Sequence, residues 1–593
     1  MISRIFSGAV AGIDGFLVTV EIDLSRGLPS FTIVGLPNAA VRESRERVTA
    51  AVKNNGFEFP RKRITVNLAP ADVKKEGASF DLPIALGILT ASGQIEQVGS
   101  DRVLVVGELA LDGALKPVRG VLSIVSFARE NGFELVIVPG RNAAEASLVK
   151  GIRIAACPHL KCALSVLSGG RVAAAGSGVS SMATETLSGD SAGNPGGGSP
   201  MATETPSEDS TGNPGGGSLT MTGVSSADSA ENSGSGGFSA MTSPPSSSDA
   251  AFASGYKSLA SGGGYGGGKE RYDYSQVVGQ EFAKRAFQIA AAGGHHIIMV
   301  GPPGSGKTML ARRLPTILPP LDDDEAIENA KIMSVTGAMD GVGGIDLSRP
   351  FRAPHHTASD AGLIGGGRLP TPGEITLANN GVLFLDELTE FRRNVLETLR
   401  QPLEEGRIVI ARANFSISYP ARFQLVAAMN PCPCGYFGSE THVCRCTPLQ
   451  IKKYLSKVSG PLLDRLDIHI SVMAVNPDEF LRVARRRPLS SKELRERAIG
   501  AYEIQRERYK DVAGVKRNAD LAGSLIDEFC RLDGEAQSLL DGAQRRLMFS
   551  ARSRHNILRV ARTIADLDCS KDIEAKHLAE AVQYRISSVF DSA

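Results

Sequence analysis

The run Gly301-Pro302-Pro303-Gly304-Ser305-Gly306-Lys307-Thr308 spaces its glycines, lysine and threonine as a phosphate-binding loop requires. Glycines let consecutive backbone amides curl around an anion. Lys307 can then reach the β- and γ-phosphates of a nucleotide, and the Thr308 hydroxyl can hold Mg2+. Further on, GVLFLDE ends an apolar strand pattern in Asp386 and Glu387. A buried strand delivering two carboxylates at its C-terminal end suits a parallel-sheet site, where ligands gather. Asp386 would bind the Mg2+ hydration shell, and Glu387 would polarise the attacking water. A glycine turn or an acidic strand end explains either motif alone; the pair points to nucleoside triphosphate hydrolysis, with ATP and Mg2+ as its groups. FQLVAAMN then ends in Asn430, which would sit between the loop and Glu387 and could orient the water or the γ-phosphate. Taken alone, a strand-ending Asn is more often a turn residue. GPLLDRLDIHI carries Arg465 in a charged break. An arginine there can neutralise transition-state phosphate from a neighbouring subunit, or pair locally with Asp464 or Asp467.

Other reactive residues are less decisive. Cys432, Cys434, Cys444 and Cys446 form two Cys-x-Cys pairs in a Pro/Gly-rich loop. Four such thiolates could bind Zn2+ tetrahedrally, although the usual knuckle has two residues between ligands, and four reduced thiols explain the pattern equally well. Cys157, Cys162, Cys530 and Cys569 are scattered and read as core or bystander residues. His355 and His356 are adjacent, so their side chains should diverge too far to share a metal. They read as part of a loop ahead of Asp386. GRIVIARANFSISYPA has hairpin character and carries Arg407 and Arg412, suited to a pore lined toward phosphate. VARRRPLSSKELRERA and the helix with Arg506 and Arg508 are locally basic. A solvated helix face accounts for each basic stretch just as well.

These residues need elements to position them. HHIIMV, GVLFLDE and FQLVAAMN read as strands alternating with helices, the pattern of a parallel sheet with crossovers, over 272–475. Residues 476–593 are almost purely helical and read as a small bundle. Upstream, 1–167 mix strands such as FLVTVEIDL, SFTIVGL and RITVNLAP with helices such as DLPIALGILTASG, an α+β pattern. Between them, 168–271 are dominated by Gly, Ser, Thr, Ala and Pro, and MATETLSGDSAGNPGGGS returns as MATETPSEDSTGNPGGGS. That composition buries too little apolar surface to offset chain entropy, which predicts a disordered tether letting the amino-terminal domain move.

A chain of 593 residues has room for several domains. Lys+Arg number 65 against 64 Asp+Glu, so any nucleic-acid surface must be local. The opening MISRIFSGAVAGIDGF lacks the apolar run of a secretion signal. No apolar run of about 18 residues exists to span a membrane. Eight cysteines are few for a disulfide framework. The expected setting is the cytoplasm.

The run FRAPHHTASDAGLIGGGRLPTPGEITLANNGVLFLDELTEF, with LRQPLEEGRIVIARA, AAMNPCPCG, CRCT and SGPLLDRLDIHI, resembles the YifB/ComM family of magnesium-chelatase-like AAA+ ATPases. The resemblance implies an α/β fold: a P-loop AAA+ parallel-sheet core with a C-terminal helical lid. It makes Gly301–Thr308 the Walker A loop, Asp386 and Glu387 Walker B, Asn430 sensor 1 and Arg465 the arginine finger. Sensor 2 should lie in FSARSRHNILRVARTIADL; Arg552 is chosen for its spacing to Arg559, with Arg554 and Arg559 as alternatives. Asn379-Asn380 departs from the Ala-His-Asn of relatives without touching this chemistry. The amino-terminal half looks like the Lon proteolytic domain, with Ser79 at the nucleophile position but Leu122 where the catalytic lysine would stand. A serine without its base is not activated, and Lys116 is the nearest candidate. Ser79 then reads as a helix N-terminal residue beside Asp81. Relatives form hexameric rings, and the resemblance implies a helicase driving branch migration of single-stranded or branched DNA in natural transformation. A chelatase ATPase subunit is disfavoured by the Lon-like half, a protease by Leu122, and a non-enzymatic scaffold by the P-loop lysine and both carboxylates.

Overall fold

The computed structural model describes residues 2–73, 75, 77–96, 102–168, 272–339, 348–367, 371–412, 415–439, 442–474 and 488–585. The expected tether at 168–271 therefore lies outside the described residues, apart from Ser168. Among the described residues no helix is long and apolar enough to cross a membrane.

The amino-terminal half is built on a hairpin. Strands β1 (Ile2–Ala11) and β2 (Asp14–Ser25) pair antiparallel from Ile2↔Asp23 to Ala11↔Asp14. The turn between them needs Gly12, whose φ is +69°. Strands β3 (Ser30–Val34), β4 (Arg63–Ala69), β5 (Val103–Val105), β8 (Leu135–Pro139) and β9 (Arg153–Cys157) complete a seven-stranded mixed sheet ordered β3-β4-β2-β1-β5-β8-β9. The short strands β6 (Glu108–Leu109) and β7 (Leu115–Lys116) pair antiparallel as a hairpin around Asp112. Strand alternation divides the core. Val105 and Ile137 join the cluster containing the wholly buried helix Asp81–Ala91, whereas Leu104, Val106, Val136 and Val138 join the helix Val121–Glu130. That second helix lies so close to the hairpin that a Cβ on Gly15 would stand 2.5 Å from the Ser123 carbonyl oxygen.

The second half carries a five-stranded, all-parallel sheet. Its strands are β10 (Ile297–Val300), β11 (Phe351–Arg352), β14 (Val382–Leu385), β17 (Gln424–Met429) and β18 (Ile468–Ser471), ordered β11-β14-β17-β10-β18. β10, β14 and β17 are buried at every residue, which is why they read as continuous apolar runs. Two small antiparallel hairpins, β12 (Gly365–Gly366) with β13 (Thr371–Pro372) and β15 (Arg407–Arg412) with β16 (Phe415–Pro420), interrupt the alternation. The carboxy-terminal helices Ser491–Arg508, Ser524–Phe529, Gly534–Leu547, Ala551–Leu567 and Ala575–Gln583 share one core with helix Glu281–Gly293 and one face of the sheet. The buried Gln505 amide donates to the Ala292 carbonyl at 3.1 Å, and His295 meets Thr563 Oγ1 at 2.7 Å.

The two halves are in contact. Ile13, at the β1–β2 turn, is buried in the cluster that holds Tyr419 and Ile417 of β16, and a Cβ on Gly12 would lie 2.8 Å from the Ser418 carbonyl oxygen. At a second point the Gly120 amide donates to the Ser334 carbonyl at 3.1 Å. Glu145 accepts from both the Ser334 hydroxyl and the Leu122 amide. These apolar and polar contacts join the two halves. Ile13→Asp would bury an unpaired carboxylate at a cost of several kcal/mol. Differential scanning calorimetry should then show an early transition of the amino-terminal half separating from that of the rest.

Candidate active site

Strand β10 hands the chain straight into the phosphate-binding loop, followed by helix Lys307–Arg313. Gly304 and Gly306 have φ of +77° and +89°, conformations that only glycine adopts cheaply, and they turn the loop so that its amides face one point. Lys307 is buried there. Its Nζ donates to the carbonyls of Gly301 at 2.7 Å and Pro302 at 2.9 Å, and to Asn430 Oδ1 at 3.3 Å. Burial holds this ammonium below its ordinary pKa, against the opposing pull of Asp386 and Glu387. All of its hydrogen-bond partners are neutral oxygens, so an anionic phosphate would be a stronger acceptor.

The Thr308 hydroxyl donates to Asp386 Oδ2 at 2.6 Å, and Asp386 Oδ1 accepts from the Glu387 amide at 3.0 Å. Hydroxyl and carboxylate thus form a hard-oxygen pair of the kind Mg2+ takes. The buried Ser305 hydroxyl has no hydrogen-bond partner. These features fit a magnesium–nucleotide. When bound, Mg2+ supplies charge neutralisation and orientation of the phosphates through Thr308 and Asp386.

Glu387 has φ +51° and ψ +48°, a left-handed conformation that costs a non-glycine residue about 1 kcal/mol or more. The strain turns its carboxylate off the strand end, where it is half exposed and stands 3.5 Å from His356 Nδ1. The His355 and His356 ring centroids lie 4.1 Å apart with the rings tilted by 33°, instead of diverging. His356 is therefore a site residue that sequence reasoning passed over. The Ala-Pro-His-His run is signal enough, since it follows directly on β11, the strand paired with β14.

Strand β17, between β10 and β14, brings Asn430 beside Lys307 of the phosphate-binding loop. The Gly301 amide donates to the Met429 carbonyl at 3.2 Å, tying the two strand ends together. Among the described residues neither Arg465 nor Arg552 hydrogen-bonds to Lys307, Asp386, Glu387 or Asn430. Arg465 is buried, and its guanidinium pairs with Glu404 and donates to the Pro461 carbonyl, in place of the local pairing with Asp464 or Asp467. Those aspartates pair instead with Arg585 and His295. Arg552 donates to the same Glu404 oxygen at 3.0 Å from two nitrogens. Although partial burial alone would raise it, the Arg552 hydrogen bond and the Arg465 charge hold Glu404 below the usual carboxylate range. Arg554 is taken by Asp541 and Gln544, and Arg559 by the Ala519 carbonyl and Asn556.

The four cysteines of the Pro/Gly loop converge, with all four sulfurs within 4.8 Å of one another. Arg508 lies against the buried Asp566, which leaves its guanidinium committed to the helical core. Arg407 is exposed beside Glu405. The Arg412 side chain and Arg485–Arg487 lie outside the described residues. In the amino-terminal half the helix at Asp81 is capped by Phe80 without a side-chain bond, so Ser79 is not its cap. Asp81 itself is held by Ser44 and Arg47. Leu122 is buried, and among the described residues no hydrogen bond joins the Ser79 hydroxyl to Lys116.

Comparison with known proteins places this site in a family. Residues 273–480 match the family model for magnesium chelatase, subunit ChlI, and 488–585 the model for its C-terminal region. Residues 20–142 match a model described as subunit ChlI of Mg-chelatase. The chain is 42% identical to the competence protein ComM of Haemophilus influenzae, covering 98% of this chain and 97% of that protein. It is 38% identical to YifB of Escherichia coli over 98% and 97% of the two chains. The magnesium-chelatase 67 kDa subunit of Heliobacterium mobile is 24% identical over 52% of this chain and 46% of its own. The chain belongs to the ComM/YifB family of magnesium-chelatase-like AAA+ proteins. Membership implies ATPase activity with ATP and Mg2+, in a class whose members are commonly oligomeric.

Lys307→Ala should lower ATP turnover by about 100-fold or more, together with nucleotide binding, in a coupled ATPase assay and a fluorescent-nucleotide titration. Glu387→Gln should lose about 100-fold or more in turnover while still binding nucleotide. His356→Ala should lower kcat by up to about 100-fold with nucleotide affinity unchanged, as expected of a positioning residue. Wild-type turnover in that variant would remove His356 from the site.

Proposed function

We propose that this chain is a hexameric AAA+ motor that remodels DNA, a branch-migration helicase acting in the cytoplasm during natural transformation or recombination. The observation that carries the reading is similarity to a protein named for competence over nearly the whole of both chains, amino-terminal half included.

In this reading Gly301, Pro302, Pro303, Gly304, Ser305 and Gly306 cradle the phosphates, Lys307 neutralises them, and Thr308 and Asp386 hold the metal. Glu387 takes the proton of the attacking water while Asn430 orients that water or the γ-phosphate. Arg465 and Arg552 meet on one carboxylate, Glu404. Both are then delivered to one surface, as arginines acting on a neighbouring copy's nucleotide must be. Loss of Glu404 to a competing contact at that interface would free both guanidiniums at once. The domains run 1–167 as a Lon-like half without proteolytic function, 168–271 as linker, 272–475 as ATPase core and 476–593 as helical lid. Leu122 in place of a base speaks against the Lon-like protease.

The second reading, the ATPase subunit of a metal-insertion chelatase, is favoured by the family models' descriptions. It is disfavoured because the chelatase relative covers only about half of this chain. A strand-exchange assay with forked and four-way DNA separates the two. ATP-dependent branch migration and DNA-stimulated ATP hydrolysis are expected. Steady ATP turnover without either would remove the helicase reading and leave the ATPase standing.

A further inference from the structure

The loop after strand β17 gathers four cysteines at one point. Cys432 Sγ lies 3.3 Å from Cys434 and 3.7 Å from Cys444, and Cys434 lies 3.6 Å from Cys444. Cys446 completes a set whose sulfurs all fall within 4.8 Å of one another. Disulfide sulfurs would stand at about 2.05 Å, so no pair here is bonded. A tetrahedron of thiolates around Zn2+, with metal–sulfur distances of about 2.3 Å, has edges of about 3.8 Å. The observed separations are close to those edges.

The surroundings suit a metal more than four thiols. The Phe437 amide donates to Cys432 Sγ at 3.3 Å, the kind of bond that stabilises a metal thiolate. Amides of Tyr436 and Arg445 likewise bond the Cys434 sulfur. Cys432 is fully buried and packs in the core with Phe437, Tyr454 and Ile451, which leaves the set half-enclosed. Two pairs from opposite ends of the loop close it, and the Tyr436 and His442 rings stack across it at 4.7 Å between centroids. Tetrahedral sulfur-only sets take zinc or iron and disfavour the hard ions Mg2+ and Ca2+.

The loop also touches the nucleotide machinery. Cys432 stands two residues after Asn430, whose side chain accepts from Lys307. Gly435, at φ +85° and bonded through its amide to the Cys432 carbonyl, comes so close to the phosphate-binding loop that a Cβ there would lie 2.6 Å from Pro303 Cδ. One compact turn therefore contacts the sensor strand and the Walker A loop together.

We infer that Cys432, Cys434, Cys444 and Cys446 hold a structural Zn2+ that braces the end of β17, and with it Asn430, against the phosphate-binding loop, so that ATP turnover requires the metal. The coupling rests on the ATPase reading of this site; the metal site does not. The test uses the full chain. Plasma mass spectrometry should find about one zinc per chain, lost in Cys444→Ser and Cys446→Ser. Cobalt(II) replacing it should give thiolate-to-metal absorption and tetrahedral visible bands. Because those variants can fail to fold, the wild-type chain is also stripped with a chelator, returned to excess Mg2+ and then given Zn2+. Stripping should lower turnover about tenfold or more, and Zn2+ should restore it. No metal, or iron in place of zinc, overturns the site. Zinc bound but irrelevant to turnover overturns the coupling. Zinc bound with no ATP turnover at all overturns the coupling through failure of the ATPase reading, and leaves the metal assignment intact.

Discussion

The nucleotide edge of this protein depends on the parallel pairing of three fully buried strands. Val300 of β10 faces Met429 of β17, and Leu385 of β14 faces Ala427 of the same strand. Parallel strands end on the same side of a sheet, so the phosphate-binding loop, the two carboxylates and Asn430 are presented together by register alone. No side chain has to reach across the fold. The insertion of β17 between its neighbours sets the spacing: Lys307 reaches an asparagine on the adjacent strand and feels the carboxylates one strand further on. A one-residue slip of β17 would point Asn430 to the other face, and burial of Gln424 through Met429 on both faces makes such a slip costly.

Much of this was legible before any coordinates. The loop and Walker B strands are continuous apolar runs ending in residues with no business in a core, and that contrast is a strong local signal. All five carboxy-terminal helices also follow from periodicity. Other parts were not legible, for identifiable reasons. β1 is not legible because Gly8 and the small residues around it break its apolar alternation; Gly8 pairs with Leu17, and a Cβ on it would stand 2.5 Å from Ile124 Cγ2, so the helix packed on the strand requires the glycine there. β11 is two residues long and β18 four, too short for any period to show. The pairing of Arg465 with Glu404 spans 61 residues, and no local charge pattern predicts it over the nearer aspartates. Arg508 looked like part of a basic surface because its partner, Asp566, is 58 residues away and wholly buried.

The same long-range logic explains His356. Adjacent histidines in an isolated loop would diverge, but this loop continues from β11, which pairs with the Walker B strand through Phe351↔Val382 and Arg352↔Leu383. Parallel pairing carries the residues that follow β11 to the same edge as those that follow β14. His356 therefore arrives beside Glu387 for the same topological reason that Asn430 arrives beside Lys307. Glu387 is held in a strained backbone conformation with one imidazole neighbour, so its carboxylate direction is set by two restraints from different strands.

The hairpin β15–β16 links the two halves to this edge. It springs from the chain between β14 and β17, the strands that end in Glu387 and Asn430, and its β16 strand carries Ser418 and Tyr419 against the Gly12–Ile13 turn. Glu404, the carboxylate shared by Arg465 and Arg552, lies in helix Arg400–Glu405 immediately before β15. A displacement of the hairpin therefore acts on three things at once: the strand end bearing Glu387, the strand end bearing Asn430, and the anchor of both arginines. Packed cores transmit such displacements instead of absorbing them, because close-packed side chains leave no slack. The amino-terminal half, resting on the hairpin through a buried isoleucine, is thus mechanically joined to the chemistry without contributing a residue to it.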